Sequence, residues 1–165
     1  MQTTIKFAKV NPNAKIPSKR EEDMGYDVYA CFDEQYITLK PHETRLIPTG
    51  IASACDKGYG FIAKERGSTG SKGIAIRCGV IDSNYRGEWF IGLTNTTDQS
   101  LFLINPHWAD KVFVRSNAFT YNCEKAIAQV ILVPVPETIV EEITYEELQA
   151  IESNRGEGAL GSSGK

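Results

Sequence analysis

Gly79-Val80-Ile81-Asp82-Ser83-Asn84-Tyr85-Arg86-Gly87-Glu88, with the apolar run Trp89-Phe90-Ile91-Gly92-Leu93-Thr94 behind it, decides the fold. An apolar strand ends in an acid, the chain turns, and a second apolar run begins at Glu88. Working outward, short β-like runs recur upstream at Ile74 to Ile76, Gly60 to Lys64, Thr44 to Pro48, Tyr36 to Leu39 and Tyr26 to Phe32. Downstream they recur at Leu101 to Ile104, Lys111 to Val114 and Ile127 to Val135. Ile5, Phe7 and Val10 alternate at the amino end until Pro12 and Pro17 interrupt them. Asn11-Pro12, Lys40-Pro41, Lys57-Gly58 and Arg86-Gly87 separate many of the runs. Many short strands with few helical patterns predict an all-β fold, a sandwich or jelly-roll-like β-barrel. The one helical signal is late, at Thr144 to Glu152, where Thr144 and Glu147 make a capping-box pattern ahead of Leu148 and Ile151.

The chain has 165 residues, 41% hydrophobic and 24% charged, which fits one compact domain and argues against a disordered or fibrous protein. A net charge of −3 gives no bulk attraction to a nucleic-acid polymer, so a grip on phosphates must come from locally clustered cations. Cys31, Cys55, Cys78 and Cys123 never approach Cys-x-x-Cys spacing and read as free thiols, and His42 and His107 stand on separate segments. The amino terminus lacks a signal-peptide pattern and no apolar run is long enough to span a membrane, which predicts a soluble, cytoplasmic protein. Residues 1–153 read as the β domain and 154–165, rich in glycine, as a flexible C-terminal arm.

Two glycine-containing basic stretches offer phosphate chemistry without a Walker A loop. Arg66-Gly67-Ser68-Thr69-Gly70-Ser71-Lys72 lacks Gly-Lys, and Gly164-Lys165 has Ala159 where the first glycine belongs. Both still combine cations, hydroxyls and backbone N–H donors. Asp82 ends its strand at a turn, where an aspartate is usually a local cap; with an aromatic three residues on, it can also serve as a base beside a stacked ring.

Five segments in order then resemble the five motifs of the trimeric deoxyuridine triphosphatases, the dUTPases, as a phage-type or bacterial member. Met24-Gly25-Tyr26-Asp27-Val28-Tyr29-Ala30 is similar to the first and Arg66-Gly67-Ser68-Thr69-Gly70 to the second. Gly79 to Gly87 is similar to the third and is the most specific, Ala126-Ile127-Ala128-Gln129 resembles the fourth, and Arg155 to Gly164 the fifth. The resemblance implies a dUTPase-like β-clip and hydrolysis of dUTP to dUMP and pyrophosphate by water attack on the α-phosphorus.

In that reading Asp82 is the general base, Gln129 positions the water or the α-phosphate, and Asp27 acts through the water shell of a Mg2+ carried by the phosphates, with no direct protein ligand. Arg66, Gly67 and Ser68 hold the α- and β-phosphates, and Arg155, Gly161, Ser162 and Ser163 close over the γ-phosphate. The segment Arg77 to Asp82, with Gly79 and Ile81, forms a β-hairpin that presents main-chain groups to uracil; such a site can discriminate by ~10⁴. Tyr85 packs under deoxyribose. The family's homotrimer builds each site from three subunits.

Four departures stand out. Gly67 replaces a serine, Ala126 replaces an arginine, and Leu160 stands where a phenylalanine stacks on uracil, so Trp89 or Phe90 is expected to supply the aromatic lid. The stretch 98–123 carries roughly fifteen extra residues, is apolar, and reads as an extra hairpin packed on its own trimer, or alternatively as a docking surface for another protein. A dCTP deaminase of the same fold would need a Thr-Leu-Glu run, where this chain has Leu93-Thr94-Asn95. A nucleotide-gated regulatory protein that binds dUTP and a partner is the other alternative. A phage-encoded chain would work in the host cytoplasm.

Overall fold

A computed structural model describes residues 3–112 and 118–157. Its strands are β1 (Lys6–Lys9), β2 (Tyr26–Val28), β3 (Tyr36–Leu39), β4 (Thr44–Pro48), β5 (Ile51–Ala54), β6 (Tyr59–Lys64), β7 (Ile74–Arg77), β8 (Val80–Asp82), β9 (Phe90–Asn95), β10 (Ser100–Ile104), β11 (Ala118–Asn122) and β12 (Ala128–Pro134). They form four sheets, ordered β1-β5, β11-β10-β3, β2-β12-β6-β8 and β4-β9-β7. The protein is therefore all-β, with a single-turn helix α1 (Gly67–Gly70) and a short late helix α2 (Tyr145–Ala150). Among the described residues no sheet closes on itself, so the hydrogen bonding traces several small sheets rather than one barrel wall.

Alternation sets the faces. In β6, Phe61 and Ala63 are buried while Ile62 and Lys64 are exposed, as a strand with one face on the core requires. In β9 only Phe90 is exposed, because the strand lies between β4 and β7. The core gathers Val28, Leu39, Ile47, Phe61, Ile74, Trp89, Ile91, Leu93, Leu101, Leu103 and Val130. Trp89 is 1% exposed and packs edge-on against the rings of Phe7 and Phe61, at 5.6 and 5.1 Å between centroids. The helix α2 has the expected capping box: Glu147 N–H donates to Thr144 Oγ1 at 3.1 Å and Thr144 N–H donates to a Glu147 carboxylate oxygen at 2.8 Å.

Three expectations change. The run Tyr26 to Phe32 is a strand only to Val28, and Lys111 and Val112 lie outside any strand. The strands β5 and β11 carry weak signals: Ile51-Ala-Ser-Ala has little intrinsic β preference and is held by its ladder to β1. The stretch 98–123 is not a hairpin. Its strands β10 and β11 pair in parallel, which requires a crossover, made here through a 3-10 turn at Pro106–Trp108. Leu101, Leu103, Ile104, Tyr121 and Cys123 go into the chain's own core, which accounts for part of the apolar content of this stretch.

Candidate active site

The ladder β2-β12-β6 places Asp27 opposite Gln129 and Gln129 opposite Lys64, so the two polar side chains share one end of a sheet with Glu65 and Arg66, which follow β6. A cavity of about 760 Å³ opens there, lined by Asp27, Arg66, Gly67, Ser68 and Gln129 and by the loop that precedes β2. Arg66 grips Asp27 with two nitrogens, Nε to Oδ1 at 2.8 Å and Nη2 to Oδ2 at 3.2 Å. Its Nη1 donates to Ser68 Oγ and to the Ala126 carbonyl, both at 3.3 Å. Arg66 also caps α1, whose next two amides, those of Gly67 and Ser68, have no partner within the helix and lie at the cavity wall.

Gln129 Nε2 donates to the Glu65 carbonyl at 2.7 Å. A Cβ on Gly25 would stand 2.4 Å from Gln129 Oε1, so the glycine is what lets the amide occupy its place. The Glu65 carboxyl is held below its usual range, chiefly because it accepts the Ile76 N–H at 2.8 Å. It thereby ties the end of β6 to β7. Ser18, Lys19, Arg20 and Asp23 of the cavity wall escaped the sequence reading; the available signal was the Lys19-Arg20 pair just ahead of Met24-Gly25-Tyr26-Asp27.

A second, smaller hollow of about 230 Å³ is lined by Cys78, Val80, Ile81, Asp82, Tyr85, Glu88, Trp89 and Phe90. Here β8 pairs with β6 alone and is the edge of its sheet, so its outer row of main-chain groups faces away from the sheet. Gly79 leads into it, with its carbonyl accepting the Ala63 N–H at 2.7 Å; a Cβ at Gly79 would stand 2.7 Å from the Ala63 carbonyl oxygen. Tyr85 is half exposed and donates its hydroxyl to the Glu88 carbonyl at 3.0 Å. Arg77 to Asp82 is not a two-stranded hairpin, because β7 pairs with β9 and β8 with β6, and Cys78, at φ 55°, turns the chain between the two sheets.

The two hollows lie at opposite corners of one sheet. Asp27 is in register with Lys64 through Gln129, whereas Asp82 is in register with Gly60. Four residues of strand and three interstrand steps separate Asp27 from Asp82, roughly 13 Å by 14 Å or about 20 Å on the diagonal. The sequence-predicted residues thus divide into Asp27, Arg66, Gly67, Ser68 and Gln129 on one side and Ile81, Asp82 and Tyr85 on the other. Arg155 lies outside both linings, with its N–H on Ser153 Oγ at 3.2 Å. Leu160, Gly161, Ser162 and Ser163 fall outside the described residues.

Other sequence readings are settled by packing. Trp89 cannot be an exposed lid, since it is buried in the core, and its Nε1 has no partner; Phe90, 44% exposed, is the aromatic that reaches the surface. Ala126 is buried, and its carbonyl is the acceptor for both Arg66 and the Tyr121 hydroxyl, the latter at 2.7 Å. Gly67 has open space where a side chain would stand. Asn95 is fully buried and bonded to main-chain groups around it, away from both hollows.

The cavity of this all-β chain joins a guanidinium, helix-start amides without a partner in the helix and a polar amide, donors of the kind that suit phosphate oxygens. The dUTPase family profile matches residues 12–108. The deoxyuridine 5'-triphosphate nucleotidohydrolase of Burkholderia cenocepacia is 35% identical over 148 residues, 86% of this chain and 82% of the relative. That of Nautilia profundicola is 32% identical and covers 98% of this chain and 99% of its own. Among solved structures, the Staphylococcus bacteriophage 80alpha dUTPase with dUPNHPP superposes with a TM-score of 0.77 at 26% identity, over 98% of this chain and 99% of that one. The chain belongs to the dUTPase family.

Proposed function

We propose that this protein hydrolyses dUTP to dUMP and pyrophosphate, and that two copies of the chain must meet to build each site. The observation that carries the proposal is the separation of Asp82 from Asp27, a lining residue of the larger cavity, by about 20 Å across one sheet as counted from strand spacings, when reacting groups must lie within about 3.5 Å. A homotrimer with sites at its interfaces, folded as a jelly-roll-like β-clip, brings the second corner of one subunit onto the first corner of its neighbour. The arm 154–165 of a third subunit, with Arg155 and the Gly161–Ser163 stretch, covers the γ-phosphate.

In the assembled site Arg66 and the amides of Gly67 and Ser68 hold the α- and β-phosphates, the amides supplying what a serine hydroxyl at 67 would otherwise add. Gln129, fixed by the Glu65 carbonyl, orients the α-phosphate and the water. The Asp82 carboxylate takes a proton from that water as its oxygen bonds to the α-phosphorus, and the bond from the α-phosphorus to the bridging oxygen breaks to release pyrophosphate. The free edge of β8 reads uracil through main-chain N–H and C=O groups, Ile81 lines the base, Tyr85 packs under deoxyribose, and Phe90 is the aromatic within reach of the base.

Mg2+ fits the first cavity only as an ion brought by the nucleotide. Both oxygens of Asp27 already hold Arg66, which leaves the carboxylate able to accept from metal-bound water rather than to ligate directly. Bound there, Mg2+ would offset the charge of the triphosphate.

Deamination of dCTP is the poorer reading, because the side chain at 95 is locked inside the core. A role as a nucleotide-gated partner-binding protein through 98–123 is the second reading; Leu101, Leu103, Ile104, Tyr121 and Cys123 of that stretch serve the chain's own core and would take no part in it.

The test is release of pyrophosphate from dUTP and of ammonia from dCTP by the wild type and Asp82→Asn. Pyrophosphate from dUTP, abolished by Asp82→Asn with dUTP binding retained, is the expected result. Equal turnover by the two proteins would remove Asp82 as the base, and ammonia release would overturn the assignment.

A further inference from the structure

The loop ahead of β2 carries charge that the reading above leaves unused. Lys19, Arg20 and Arg66 line the larger cavity together with Asp23 and Asp27. Arg20 is spent on Asp23, with Nε to Oδ2 at 2.9 Å and Nη2 to Oδ1 at 3.1 Å, a clamp that also shapes the loop, since Asp23 N–H donates to the Arg20 carbonyl at 3.2 Å. Arg66 holds Asp27 through Nε and Nη2, with Nη1 on the neutral Ser68 hydroxyl and Ala126 carbonyl, and already has its place on the α- and β-phosphates in the reading above. Lys19 differs. Its Nζ meets only neutral acceptors, the carbonyls of Arg20 at 3.3 Å and Glu21 at 3.1 Å, and among the described residues no carboxylate lies within ion-pair distance.

The ammonium also sits 5.6 Å above the ring of Tyr26, the residue beside Asp27 on β2, so its position is tied to the strand that supplies the cavity's carboxylate. Arg20 and Arg66 each hold an aspartate at two points, whereas Lys19 feels the charge of Asp23 only at a distance and makes no direct ion pair among the described residues.

We propose that Lys19 is a phosphate-binding residue of this site, engaging the triphosphate beyond its α-phosphate and so making affinity rise with phosphate number. The proposal rests on the dUTPase reading. A lysine is suited to this role: it is a compact, rotatable point charge that can leave two weak carbonyl contacts for a phosphate oxygen, whereas Arg20 would have to give up Asp23.

The test is calorimetric titration of the non-hydrolysable α,β-imido analogue of dUTP, of dUDP and of dUMP into the wild type, Lys19→Met, Lys19→Arg and Lys6→Ala. Methionine keeps the apolar stem and removes the charge. Lys19→Met should weaken the imido analogue about tenfold and dUMP less than about twofold, as expected for loss of one close cation at a wet surface. Lys19→Arg should recover most of the loss, and Lys6→Ala, which removes an exposed charge on β1, should match the wild type.

An equal loss for dUMP and the imido analogue, or no loss for either, overturns the proposal while the dUTPase reading stands. A wild type that binds none of the three nucleotides and releases no pyrophosphate from dUTP defeats that reading itself.

Discussion

Asn95 offers a sharp test of how the sheets are held together. It is fully buried at the end of β9. Its Nδ2 donates to the carbonyls of Gln99 at 2.7 Å, Lys40 at 3.1 Å and Leu39 at 3.2 Å, and its Oδ1 accepts from Thr97 N–H at 3.1 Å and Thr97 Oγ1 at 2.8 Å. Two amide hydrogens cannot serve three carbonyls fully, so the side chain makes about four effective bonds, each contributing about 1 kcal/mol net. In Asn95→Ala the carbonyls of the exposed residues Lys40 and Gln99, whose bonds to Asn95 are part-buried, can regain water, whereas the Leu39 carbonyl, in a buried bond, loses a partner. We therefore expect a loss of about 3 kcal/mol, within a range of about 2 to 4.

Asn95→Asp keeps the acceptor but places a carboxylate against those carbonyl oxygens. Burial raises its folded-state pKa above the unfolded value, so this variant should lie nearest the wild type in acid and lose stability as pH rises through about 4 and beyond. Urea unfolding followed by tryptophan fluorescence, at one fixed protein concentration because assembly is linked to stability, reads both effects. A midpoint shift for Asn95→Ala worth less than about 1 kcal/mol, with an unchanged slope, would refute the reasoning.

Two further outcomes follow from the larger cavity. Gly25→Ala should push Gln129 off the Glu65 carbonyl and lower kcat at least about tenfold, and in a Gln129→Ala background, which removes Oε1 and Cδ but keeps a Cβ 3.0 Å away, it should cost far less; equal effects in both backgrounds would show that the amide is not the target. The Glu65 carboxyl, depressed by the Ile76 N–H, contributes stability that is present above the ordinary glutamate range and fades as pH falls through its lower folded-state value. Glu65→Gln should therefore be less stable than the wild type at neutral pH, with the gap narrowing below about pH 4; urea midpoints at pH 7 and 3.5 that differ by the same amount would contradict this.

The larger cavity explains why its wall was harder to read than its motifs. Arg66 belongs to a stretch whose residue types already point to phosphate chemistry, and Asp27 and Gln129 to stretches that resemble dUTPase motifs. Lys19 and Arg20 lie in a loop with no periodicity, and nothing local to them distinguishes a paired arginine from a lysine without a carboxylate. Only the Arg20–Asp23 clamp and the ring of Tyr26 make that distinction.

By itself the sequence determined the all-β class, most of the strands and the capped late helix, because alternation, turn residues and caps act over a few neighbouring positions. Tertiary structure decided the rest. It took Trp89 into the core and left Phe90 outside, turned the supposed hairpin at 98–123 into a parallel pair, and split the site residues between two corners of one sheet. Register and sheet order are set by contacts between residues far apart in the chain, and no local pattern encodes the distance between Asp27 and Asp82.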